Sequence, residues 1–105
     1  MAGTVAAPTN NGIGVAGVGG DVSIMPIRVL GNCGCGSTFD ILQGNLYAAG
    51  LPNEAGIVPA ETADIINMSL GGGGFNQAAQ DVYTQIRAAG VIIIAAAGNL
   101  SLIHI

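Results

Sequence analysis

The stretch "ADIINMSLGGGGFNQAAQDVYTQIRAAGVIIIAAAGN", residues 63–99, decides the fold. It opens on "ADIINMSL", an apolar run rich in isoleucine that reads as a strand. Four glycines follow, residues 71–74. Asn76 then stands where a helix cap belongs, and Ala79, Val82, Ile86 and Ala89 recur at helical spacing as an inward stripe. Gly90 closes that helix. "VIIIAAA", residues 91–97, reads as another strand. Strands joined through a helix run parallel. The unbroken apolar run over residues 91–94 suits a strand covered on both faces.

Working outward, "VSIMPIRVL" (residues 22–30) is a β-branched run that predicts a strand, weakened by Pro26, which cannot donate to a ladder. "STFDILQGNLYAAG" (residues 37–50) predicts a helix. Ser37 or Thr38 caps it, and Asp40 lies at capping-box spacing from Ser37. Ile41, Leu42, Leu46 and Ala49 share one stripe, and Gly50 with Pro52 stops the helix. Residues 51–62 read as a loop, residues 8–20 as a turn-rich loop, and residues 1–7 as the end of a helix. The expected order is β-α-β-α-β, an α/β fold with a parallel sheet between helix layers.

Composition narrows the setting. Of 105 residues, 8% are charged and 50% hydrophobic, where an ordinary soluble domain carries about 25% charge. Mean hydropathy is +0.63. Such a chain reads better as the interior of a larger domain than as a small free-standing one, whose surface needs charge to cover it. The longest apolar run, residues 91–97, is far short of the ~20 residues a membrane span needs. The first residues show no signal peptide. A net charge of −4, with Arg28 and Arg87 as the only bases, argues against nucleic acid and anionic membranes. Cys33 and Cys35 form a C-x-C. Residues two apart in a loop rarely pair without strain, so the expectation is free thiols or a bridge to a cysteine outside this chain. One histidine and one cysteine pair do not make a zinc site.

In an open parallel sheet, ligands bind beyond the carboxyl ends of the strands. Here those ends are "GNCGCG", "SLGGGG" and "AAAGN", all built from small residues. Missing side chains let another backbone approach. An extended peptide, pairing as an added strand, is the ligand such ends suit. "GIGVAG" (residues 12–17) matches a dinucleotide-binding pattern, but a loop precedes it and a strand follows, so the helix that would face a pyrophosphate is lacking. A small α/β nucleotide binder is therefore the weakest reading. The six acids are scattered, and His104, the single histidine, is the next-to-last residue.

The segments "AGTVAA", "NNGIGVAGV", "PIRVLG", "ADIINMSLGG" and "AGVIIIAAAGN" occur in the order and spacing of subtilisin-like serine peptidases. The resemblance covers residues 1–99. It implies a three-layer α/β domain truncated at both ends: a partial peptidase domain over residues 1–99, with "LSLIHI" (residues 100–105) as a non-native tail. Asn99 resembles the oxyanion-hole asparagine, which donates to the tetrahedral intermediate. Ser69, Leu70 and Gly71 resemble one wall of the substrate pocket. Ala96, Ala97 and Gly98 resemble the opposite wall, and Gly34, Cys35 and Gly36 the other strand flanking the peptide. Asn11, Ile13 and Val15 resemble part of the family's calcium loop, a structural ion being the one cofactor implied and none being required for catalysis.

The catalytic Asp and His of such peptidases lie before the position of Met1, and the nucleophilic Ser lies beyond the AAAGN motif. The expectation is a secreted serine endopeptidase segment, inactive alone. Its partners would be a peptide or protein substrate and the remainder of the peptidase domain. A non-catalytic peptide-binding module is the alternative.

Overall fold

The computed structural model describes residues 1–98. Asn99 and the "LSLIHI" tail lie outside the described residues. Five elements follow one another: α1 (Ala2–Ala6), α2 (Thr38–Ala48), β1 (Ile65–Met68), α3 (Gln77–Ala88) and β2 (Ile92–Ala95).

Both long helices begin and end as their sequences dictate. The Ser37 hydroxyl accepts the Asp40 amide at 3.0 Å and donates to the Asp40 carboxylate at 2.8 Å. The Asn76 side chain accepts the Ala79 amide at 3.2 Å. Each cap satisfies a donor that the first helical turn leaves free. At the other ends, Gly50 and Gly90 take φ of +69° and +91°. The amide after each glycine reaches back a full turn, Leu51 to the Leu46 carbonyl at 2.9 Å and Val91 to the Ile86 carbonyl at 3.3 Å. These are Schellman closures.

β1 and β2 form a two-stranded parallel sheet in the register Ile65↔Ile92 to Met68↔Ala95. Both helices pack on one face of it. Leu46, Ala48 and Ala49 of the α2 end meet Ile66, Ile86 and Val91 in one core. Ile86 is fully buried at its centre.

Three expectations are corrected. Residues 22–30 join no ladder among the described residues, so the sheet has two strands and not three. A strand exists only with a partner. Here Ile27 and Val29 lie instead against Gly44 of α2, whose missing Cβ leaves room for them. The 91–94 run is covered on one face only: Ile65, Ile92 and Ile94 point away from the helices and stay 54–58% exposed. On α3 the inward stripe ends at Ile86, and Ala89, at the cap, is exposed.

Candidate functional site

The carboxyl ends of β1 and β2 lie side by side because the strands are parallel and in register. The Ala96 amide donates to the Met68 carbonyl at 3.0 Å, one step beyond the ladder. That single bond sets residues 69–71 next to residues 96–98. Ser69 and Gly71 are exposed, Leu70 is half-buried, and Ala96, Ala97 and Gly98 are all exposed. Asn67 donates to the Ser69 hydroxyl at 2.9 Å, fixing its orientation. The glycines beyond, Gly72 and Gly73, take φ of +132° and +75°, and Gly98 takes +87°, conformations that favour glycine. Among the described residues, no protein group pairs with the main-chain amides of Leu70, Gly71, Ala97 or Gly98. The result is an edge poor in side chains whose backbone donors have no partner among the described residues.

The third predicted segment forms a turn of its own. Gly34, Cys35 and Gly36 belong to a tight turn closed by Gly31 donating to the Cys35 carbonyl at 2.9 Å. Arg28 braces the turn, donating to the Leu30 carbonyl at 3.1 Å and to Asn32 Oδ1 at 2.6 Å. No hydrogen bond among the described residues links this turn to residues 69–71 or 96–98. The structure also corrects the cysteine expectation. Cys33 and Cys35 are joined to each other, with Cα atoms 5.3 Å apart. That span lies within the usual disulfide range, and Gly34 at φ +73° folds the turn that allows it.

Asn11, Ile13 and Val15 lie in an exposed loop, where Asn11 Oδ1 accepts the Ile13 amide at 3.1 Å. One side-chain oxygen and two carbonyls fall short of the six to eight oxygens a calcium ion takes, so these residues by themselves do not complete a metal site. Among the described residues no group of three or more His, Cys, Asp or Glu is placed to hold a metal. The glycines of "GIGVAG" open no helix, which removes the geometry a dinucleotide needs. No helix among the described residues is long and apolar enough to cross a membrane.

One feature escaped the sequence reading. Asn45 lies on the buried stripe of α2, 6% exposed, between Leu42 and Leu46. Its amide donates to Met68 Sδ at 3.4 Å, and the Tyr83 hydroxyl donates to the same sulfur at 3.7 Å. A polar residue at the i+3 position of an apolar stripe was the available signal. Burial raises the Tyr83 phenol above its ordinary pKa near 10.

The profile of the subtilase family matches residues 1–103. This chain belongs to the subtilase family. The subtilase segment is 44% identical over 100 residues to an extracellular basic protease of Dichelobacter nodosus, covering 94% of this chain and 16% of that protein. An extracellular protease of Xanthomonas campestris pv. campestris is 43% identical over 100 residues, with 94% of this chain and 17% of its own length aligned. A protease structure from Pseudoalteromonas arctica superposes with a TM-score of 0.84 at 45% identity, over 91% of this chain and 28% of that one. The chain thus spans less than a third of each of these relatives, and it shares its α/β fold with the Pseudoalteromonas arctica protease.

Proposed function

We propose that this chain is the substrate-strand segment of a secreted subtilisin-like serine endopeptidase. Residues 69–71 and 96–98 form the two walls of a cleft that takes an extended peptide by main-chain pairing. Gly34, Cys35 and Gly36 flank the peptide on its other side. Asn99, next after Gly98, donates its amide to the oxyanion of the tetrahedral intermediate. Peptide hydrolysis by the whole enzyme proceeds through an acyl-enzyme on Ser, with His as base and Asp orienting it. Those three groups come from outside this chain. Secretion accords with relatives named as extracellular proteases.

The observation that carries the reading is that two segments poor in side chains, with amides unpartnered among the described residues, leave the carboxyl ends of adjacent parallel strands. The 105-residue chain is expected to cleave neither casein nor a peptide ester. Turnover that Asn99→Ala abolishes would contradict this. The flanking coding sequence is a second check: a His-Gly-Thr-His run directly before Met1 and a Gly-Thr-Ser run downstream are expected. An intact reading frame without them favours the non-catalytic peptide-binding module.

A further inference from the structure

Both walls of the proposed cleft are joined at one residue. Met68 ends β1 and precedes Ser69. Its carbonyl holds the Ala96 amide at 3.0 Å. Its thioether, packed against the core, takes one donor from each helix: Asn45 Nδ2 of α2 at 3.4 Å and Tyr83 Oη of α3 at 3.7 Å. The main chain of Met68 therefore ties wall to wall while its side chain is pinned from two directions.

Stability alone does not account for this arrangement. Asn45 is the one buried polar residue among the described residues. A thioether is a weak acceptor, and burying an amide with poor compensation is destabilising. Leucine at this position would continue the stripe of Leu42, Leu46 and Ala49 without that cost. Methionine has three rotatable side-chain bonds and fills space in several ways. Two directed donors restrict it to one.

We propose that Asn45 and Tyr83 are positioning residues. By fixing the Met68 side chain they set the placement of residues 69–71 against residues 96–98, and so the width of the cleft. The consequence for peptide binding rests on the cleft reading above; the clamp itself does not.

The test is NMR of the 105-residue chain, labelled at backbone amides and methionine methyls, as wild type, Asn45→Leu and Tyr83→Phe. In Asn45→Leu the thermal midpoint holds or rises, the Met68 methyl resonance moves, and Ala96 amide exchange quickens by about tenfold. The Ile92 amide, bonded to the Asp64 carbonyl at the other end of the ladder, keeps its rate. Tyr83→Phe gives the same pattern at smaller size, and decides the matter if Asn45→Leu does not fold. Ala96 and Ile92 rates that change together, or not at all, overturn the clamp, as does a midpoint that falls without a local change at Ala96. A blocked Ala-Ala-Pro-Phe peptide is then titrated. Binding weakened about threefold or more in Asn45→Leu is expected; equal binding by both proteins overturns the link to the cleft. A wild-type chain that binds no peptide counts against the cleft reading, and the Ala96 comparison still judges the clamp.

Discussion

Asn76 and Asn45 are the same residue type in opposite circumstances, and the contrast shows what a sequence exposes. Asn76 bonds an amide three residues away, so its role follows from local spacing. Asn76→Ala should destabilise the chain by about 1 kcal/mol, read from urea unfolding, because one first-turn amide loses its acceptor. Asn45 bonds a sulfur 23 residues on, and no local pattern reveals that. Gly36 is a third case. A Cβ there would run into the Val29 carbonyl and lie 2.9 Å from Leu30 Cδ2. Gly36→Ala should cost about 1–3 kcal/mol by forcing the turn away from residues 29 and 30. The pairing of Cys33 with Cys35 was hidden for a different reason: it depends on the fold of the turn, not on spacing. Intact mass without reductant should be lower than with it by the hydrogens lost on pairing.

The two long helices were legible because their signals are short-range: a cap, a stripe and a closing glycine. The strand at residues 22–30 was not, since β-branched composition does not supply the neighbour a ladder requires. Of the three predicted cleft segments, the sheet register brings together residues 69–71 and 96–98. The turn at residues 31–36 shares no hydrogen bond with either among the described residues. What holds the helices on the sheet is chiefly Ile86, fully buried between Leu46, Ile66 and Val91. Ile86→Ala should cost about 2–5 kcal/mol by thermal or urea unfolding, the range for emptying a closed aliphatic site. Tyr83 adds a pH dependence on the same interface. Its folded pKa lies above the unfolded value near 10, so above that pH the folded state binds more protons than the unfolded. Stability contributed by the neutral phenol is complete below pH 10 and is lost as pH rises through the folded pKa. Unfolding measured against pH should show this alkaline loss, reduced in Tyr83→Phe.

The fold is open for a chain of this length. Its radius of gyration is 15.3 Å, against about 13 Å for a compact domain of this size. Its accessible surface is 7771 Å², against roughly 5,400 Å² for a folded monomer of this mass. The exposed Ile65, Ile92 and Ile94 lie on the sheet face away from the helices. A chain with 8% charged residues leaves this apolar face without charge to cover it, and it spans only a small share of each relative. The proposed cleft at the strand ends has the most direct functional consequence. Titrating the isotope-labelled chain with the blocked Ala-Ala-Pro-Phe peptide, and following every backbone amide, tests it most directly. Saturable shifts concentrated at Ser69, Leu70, Gly71, Ala96, Ala97 and Gly98 are expected. A flat titration, or shifts centred on the loop at residues 8–16 with the strand ends unmoved, would contradict it.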